Sequence, residues 1–202
     1  MIIFFGPAGA GKSMQGQILA ARHGWRWLSA GQLLRDTRDP EIFAIMKAGD
    51  LVPVHLANKI VFEAMDTAHA CADIGHVILD GYPRTIEQAR GMTEHETTRC
   101  GDDPEFAKKP GGVSLIIVLE VGKTEILHRL AIRGRMEDDP ATIEHRLQIY
   151  RSEIYPLLDY YNDLNVPIEH VDGVGTVGEV HDRIEAALVS YNLVPALPGD
   201  VS

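Results

Sequence analysis

The sequence predicts an α/β protein built on a central parallel sheet with helices packed on both faces. Three observations point that way: short apolar runs recur along the 202 residues, amphipathic helical patterns separate them, and the apolar runs are unbroken rather than alternating. Unbroken apolar strands belong to sheets covered on both sides. Regular alternation of strand and helix makes neighbouring strands parallel, because each returns through a crossover helix.

Met1 to Phe5 reads as the first strand, stops at Gly6-Pro7, and gives way to a helix over Ser13 to Ala21. Trp25 to Leu28 is a weaker strand. Helical patterns at Glu41–Ala48 and Leu56–Ala68 lead to a strand at His76–Asp80 and a helix at Ile86–Thr93. The strand Val113–Leu119, helices at Thr124–Ile132 and Ala141–Tyr161, a strand at Val166–Val171 and a helix at Val177–Val189 complete the alternation. Thr97 to Gly112, polar and containing Pro and Gly, reads as a surface loop, and Asn192 to Ser202 as a loosely held tail. No repeat is visible, and residues 1–202 suit a single domain with small inserts better than two full-sized domains.

A formal charge of −10 argues against nucleic acid or an anionic membrane as partner, since both require an excess of positive surface. An anionic ligand must then meet a local basic site. Arg outnumbers Lys by 13 to 6, and the guanidinium fork matches phosphate oxygens two at a time. Cys71 and Cys100 lie far apart with no CxxC spacing, so neither a disulfide framework nor a structural zinc is expected. The longest apolar stretch, around Leu115 to Leu119, is far shorter than a membrane span, and Met1 leads directly into a strand-like run. The expected location is cytoplasmic.

Gly6-Pro-Ala-Gly-Ala-Gly11-Lys12-Ser13 fits GxxxxGK[ST] between a predicted strand and a predicted helix, the context that this phosphate-binding loop needs. Gly9, Ala10 and Gly11 let backbone N–H groups turn inward, the helix start adds positive character, and Lys12 reaches the β- and γ-phosphates. A nucleoside triphosphate is the expected ligand. Val77-Ile-Leu-Asp80 is an apolar strand ending in a carboxylate, where such proteins place the Asp that holds Mg2+, often through water. Ser13 supplies the hydroxyl that joins the same metal shell.

Further motifs follow in order: Leu28-Ser-Ala-Gly-Gln-Leu-Leu-Arg35, Ala48-Gly-Asp-Leu-Val-Pro53, Asp80-Gly-Tyr-Pro-Arg-Thr85 with Gln88, Arg129 through Asp139, Ile143-Glu-His-Arg146, and Val171-Asp-Gly-Val-Gly175. Across nearly the whole chain this ordered set resembles the nucleoside monophosphate kinases, most of all the adenylate kinases with a short lid. The resemblance implies a three-layer α/β/α P-loop kinase fold with a small helical monophosphate-binding insert over about 29–58 and a very short lid over about 132–139. It also implies reversible transfer of the γ-phosphoryl of ATP to a nucleoside monophosphate, AMP before others, with magnesium, by a monomer. Catalytic roles fall to Lys12, Arg84, Arg129, Arg135 and Arg146. ATP would be held by Gly9, Ala10, Gly11, Lys12, Ser13, Met14, Arg129, Arg133 and Gly175. AMP would meet Ala30, Arg35, Asp50, Leu51, Val52, Gly81, Arg84, Gln88, Arg135 and Arg146. Phosphoryl transfer asks chiefly for in-line positioning and cations around the moving charge, which fits an Arg-rich set.

The chain departs from that pattern in places. Ser13 and Met14 stand where relatives usually carry Gly then Thr, and Gln32 stands where an Asp is common. Asp138 and Asp139 either pair with Arg on lid closure or form an acidic turn before the next helix. Two alternatives stay open: a UMP/CMP kinase, which Ala30, Leu33-Leu-Arg-Asp36 and Val52-Pro-Val54 resemble, and a catalytically silent nucleotide-binding protein.

Overall fold

A computed structural model describes residues 1–71, 75–101, 112–135 and 138–196. Its elements run β1 (Ile2–Phe5), α1 (Lys12–His23), β2 (Arg26–Ser29), α2 (Ala30–Asp36), α3 (Pro40–Ala48), α4 (Val54–His69), β3 (Val77–Asp80) and α5 (Ile86–Cys100). They continue as β4 (Leu115–Glu120), α6 (Lys123–Arg133), α7 (Pro140–Asp163), β5 (Ile168–Asp172) and α8 (Val177–Ser190). All five strands are parallel in the order β2-β3-β1-β4-β5. With β1 central, its neighbours β3 and β4 are paired from Ile2 onward, to Ile78 and Leu115.

The pleat sorts the core into two layers. On one face Ile3, Phe5, Leu79, Ile116 and Val118 meet Val61 and Met65 of α4, Met92 of α5 and Ile154, Leu157 and Tyr161 of α7. On the other Ile2, Phe4, Ile78, Leu115 and Ile117 meet Leu19 of α1 and Val180, Ile184 and Leu188 of α8. Successive side chains of a strand point to opposite faces, so these unbroken apolar runs serve both layers at once. That is the three-layer arrangement expected.

Two smaller apolar clusters lie apart from the sheet. Leu34, Ile42, Val52 and Ala57 form one inside α2, α3 and the start of α4, giving that segment a core of its own. Ile126, Leu130, Ile143 and Leu147 form the other, between α6 and α7. Only Gly134 to Asp139 joins those two helices, and of these residues 136–137 lie outside the described ones.

Element ends shift by no more than two residues from the sequence reading, apart from α2, which had no helical pattern assigned to it, and one larger correction. The helix expected over Ile86–Thr93 continues to Cys100, so the start of the anticipated surface loop is helical and residues 102–111 lie outside the described ones. Thr93, Thr97 and Thr98 each donate a hydroxyl to the carbonyl four residues back. Their polarity is thereby satisfied within the helix, while Glu96 is buried and bonded twice by Arg99. At the other end, Leu193 donates its N–H to Leu188 and Val194 is buried in the second layer, so the tail is docked as far as that residue. Residues 197–202 lie outside the described ones.

The start of α7 is set by Asp139, whose Oδ1 accepts from the N–H groups of Ala141 and Thr142 at 3.1 Å each, with Pro140 in the first turn. Asp139→Ala removes both acceptors, and the expected loss is about 1 kcal/mol of unfolding free energy. Urea titration followed by circular dichroism checks it, and an unchanged midpoint would show that the cap does not fix this helix end.

Candidate active site

The parallel sheet brings the carboxyl ends of its strands to one edge, where the loops after β1 and β3 meet α1, α2, α6 and α7. There a cleft of about 330 Å³ opens, a size suited to a small ligand. Its wall includes Gly9, Gly11, Lys12, Ser13 and Met14 from the loop and first turn of α1, and Asp80, Gly81 and Arg84 from the segment after β3. Arg35, Asp50 and Leu51 come from the α2–α4 region, Arg129 and Arg133 from α6, Arg135 from the lid, and Arg146 from α7.

Glycine is required in the loop by backbone shape. Gly9 and Gly11 have φ of 86° and 101°, and a Cβ on Gly9 would lie 3.0 Å from Leu130 Cγ. Lys12 Nζ donates to the carbonyls of Gly6 at 2.6 Å and Pro7 at 2.9 Å, which holds it across the loop. Burial pushes its pKa down to about 8; Asp80 opposes this, while Arg84, Arg146 and Arg133 add to the fall.

Ser13 Oγ donates to Asp80 Oδ2 at 2.5 Å, with Asp80 buried at the end of β3. A hydroxyl and a carboxylate side by side at the phosphate end are hard oxygen donors suited to magnesium, which keeps several waters and phosphate oxygens as its other ligands. Among the described residues no group of three or more His, Cys, Asp or Glu side chains forms a metal cluster, so any magnesium held here would depend on the nucleotide for much of its shell.

The arginines are held in place by specific partners. Arg84 Nε donates to the Gly81 carbonyl at 3.0 Å, and burial lowers its pKa with Asp80 opposing. Arg129 donates to Glu125 at 2.7 Å, to the Gly173 carbonyl at 2.9 Å and to the Ala10 carbonyl at 3.4 Å, tying the loop after β5 to the phosphate-binding loop. Asp138 is buried against Arg133, which bonds it through both Nε and Nη2, and against Arg146 at 3.6 Å. Burial alone would raise the Asp138 pKa, but the Arg133 bonds outweigh it and hold the carboxyl below its ordinary value. Of the two acids before α7, then, Asp138 pairs with arginine and Asp139 caps the helix.

Five of the anticipated contact residues stand outside the cleft wall: Ala10, Ala30, Val52, Gln88 and Gly175. The first four are buried behind it. Gln88 is 3% exposed, so it is no ordinary surface residue, and its Oε1 accepts from the Arg84 backbone N–H at 2.7 Å. Gly175, with φ of 126°, lies in the loop between β5 and α8. Gln32, without the carboxylate common at its position, bridges Arg35 and Asp36 through its amide.

Several wall residues were not among the contacts expected from the sequence. Ser29, Gly31, Met46 and Gly49 enter from the α2–α4 region, and Tyr150, Glu153 and Leu157 from α7. Helical spacing alone could have put Tyr150, Glu153 and Leu157 on one face with Arg146. Gly49 marks a close approach: a Cβ there would lie 2.9 Å from Thr142 Cγ2 and 3.0 Å from Arg146 Cγ. Beside it Asp50 Oδ1 lies 2.7 Å from His145 Nε2, a second link between this region and α7.

A phosphate-binding loop, an adjacent Ser–Asp pair and a ring of arginines on a β2-β3-β1-β4-β5 parallel sheet define a P-loop nucleotide phosphotransferase. Residues 4–166 match the adenylate kinase family model. The chain is 36% identical to an adenylate kinase of Mycobacteroides abscessus, over 93% of this chain and 98% of that one. It is 36% identical to that of Mycobacterium marinum, with the same coverage, and 35% identical to that of Thermus thermophilus, over 93% and 96%. The chain belongs to the adenylate kinase family.

The depressed Lys12 pKa implies a stability cost at neutral pH. Between about 8 and 10.5 the unfolded chain holds the Lys12 proton more tightly than the fold does, so this residue's contribution to stability rises with pH through that window. Lys12→Met is therefore expected to melt higher than the wild type at pH 7, by a margin that shrinks above pH 8, while turnover falls by orders of magnitude. A variant that melts lower at pH 7 would show that the ammonium stabilises the loop.

Proposed function

We propose that this protein catalyses reversible transfer of the γ-phosphoryl group of ATP to AMP, giving two ADP, with magnesium. The observation that carries this reading is the convergence of Lys12, Arg35, Arg84, Arg129, Arg133, Arg135 and Arg146 on one cleft. A protein that only bound a triphosphate would need the loop but not cations around a second phosphate, which counts against the catalytically silent alternative.

The phosphate-binding loop and Lys12 bind the triphosphate, with Arg129 and Arg133 beside it. Arg35 and Arg84 hold the phosphate of the monophosphate, while Arg135 and Arg146 reach the transferring group from the lid side. Asp138 orients Arg133 and Arg146 through its ion pairs. Magnesium bound by nucleotide oxygens near Ser13 and Asp80 would neutralise charge as it shifts between phosphates. The acceptor oxygen attacks in line, and the protein's contribution is alignment, preorganised positive charge and exclusion of water.

Closure over the substrates is divided unevenly. The Ser29–Asn58 insert has its own core and reaches α7 through Gly49 and Asp50, whereas only six residues, Gly134 to Asp139, separate α6 from α7 at the lid. We assign most of the water exclusion to the insert.

AMP is favoured as acceptor over CMP or UMP. The relatives described above all carry the name adenylate kinase. Gln88, buried behind the cleft wall, is held by its bond to the backbone N–H of Arg84, the residue assigned to the acceptor phosphate.

With ATP and magnesium, kcat/KM is expected to be highest for AMP among AMP, CMP, UMP and GMP. Arg84→Ala should raise the KM for AMP at least about tenfold, in line with loss of a charge-assisted bond, and move the KM for ATP much less. A kcat/KM for CMP or UMP above that for AMP overturns the acceptor assignment; equal effects of Arg84→Ala on both substrates overturn the assignment of that arginine.

A further inference from the structure

On the layer formed by α1 and α8, behind the phosphate-binding loop, a buried polar chain joins the two helices. Gln15, one turn beyond Lys12, is 3% exposed. Its Nε2 donates to the Val177 carbonyl at 2.9 Å, and its Oε1 lies 3.2 Å from His181 Nδ1. A carbonyl oxygen only accepts, so His181 carries its proton on Nδ1. The other ring nitrogen, Nε2, lies 3.3 Å from both Arg22 Nη1, which only donates, and Glu185 Oε1, which only accepts. The Nδ1 proton is therefore set by Gln15, while Nε2 sits between two opposed neighbours. Burial lowers the His181 pKa, with Glu185 opposing and Arg22 adding to the fall. Glu185, itself buried, also receives His23 Nε2 at 2.7 Å and lies 3.5 Å from Arg22 Nε.

This chain of partners decides which way the Gln15 amide faces. The two ends of a carboxamide are nearly the same size, so only their neighbours choose between orientations. The Val177 carbonyl and the Nδ1–H of His181 both select the one in which Nε2 meets Val177; rotated by half a turn, two oxygens would face each other there. Val177 opens α8 and directly follows the loop Gly173 to Thr176. That loop lies against the phosphate-binding loop: Arg129 bridges the Gly173 and Ala10 carbonyls, and a Cβ on Gly173 would stand 3.5 Å from Ala10 O.

We propose that Gln15, oriented by His181, is a positioning residue for the donor nucleotide, holding the Gly173–Thr176 loop at a set spacing from the phosphate-binding loop. The proposal rests on the reading, implied by the family resemblance, that ATP meets Gly175 of that loop. The acceptor side belongs to the other layer, with α4 and α5, and is left untouched.

The experiment compares His181→Asn, whose amide N–H falls near the Nδ1 position, with His181→Gln, whose amide falls near Nε2. KM for ATP and for AMP and kcat are measured for each, with unfolding midpoints alongside. His181→Gln is expected to raise the KM for ATP roughly three- to tenfold, the cost of about one buried hydrogen bond, with the KM for AMP and kcat unchanged. His181→Asn should stay within about twofold of the wild type. Gln15→Leu, which removes both bonds without adding charge, should reproduce the rise. Gly175→Val, strained at φ of 126°, tests the loop itself. Movement of both KM values together, or identical behaviour of the Asn and Gln variants, overturns the proposal as a merely structural effect. A rise in Gly175→Val with none in His181→Gln and Gln15→Leu overturns it while the donor-loop reading stands. No rise in Gly175→Val overturns that reading and the proposal with it.

Discussion

Like charges crowded into one cleft are the constraint on which the rest of the structure depends. Six arginines and Lys12 line a single cavity in a chain whose net charge is −10. Cations brought together at low dielectric repel one another, and the depressed Lys12 pKa records part of that cost along with its burial. Two buried carboxylates offset the repulsion. Asp80 faces Lys12, Arg84 and Ser13 at the end of β3, and Asp138 gathers Arg133 and Arg146 ahead of α7. In the function proposed above, the remaining positive charge meets ligand phosphates.

The fold holds much of this arrangement because most of these charged groups sit on regular elements. Lys12 begins α1, Asp80 ends β3, Arg129 and Arg133 ride on α6, and Arg146 on α7. The strands themselves are wholly apolar at the centre of the sheet and carry function only where they end. Open parallel sheets bind ligands at that carboxyl edge. The two satellite cores let the insert and the α6–α7 corner pack as bodies of their own, so the arginines they carry meet across the cleft.

Much of this was legible in the sequence because the signals were local. The strands announced themselves as unbroken apolar runs, and the phosphate-binding loop as glycines, Lys12 and Ser13 at fixed spacing between a strand and a helix. Asp80 was legible for the same reason, standing at the end of such a run. What escaped depended on partners distant in the chain. The last turns of α5 looked like loop because threonines compete with helix unless their hydroxyls turn back on it, as Thr93, Thr97 and Thr98 do. Gln88 was read only as an acceptor contact, and its burial and its bond to the Arg84 backbone belong to a turn that no spacing rule announces. Tyr150, Glu153 and Leu157 enter the cleft only through the packing of α7, and the Gln15–His181 contact spans 166 residues.

If the cleft is a two-anion cradle whose repulsion is relieved by ligand phosphates, ligands should stabilise the fold in proportion to the charge they neutralise. The most direct measurement is the melting temperature with a non-hydrolysable ATP analogue, with AMP, and with both together. Each alone is expected to raise it, and the pair to raise it by at least the sum of the two. A melting temperature that AMP leaves unmoved at any concentration, alone or with the analogue, would contradict the account, because it would mean that the second set of arginines does not hold a phosphate.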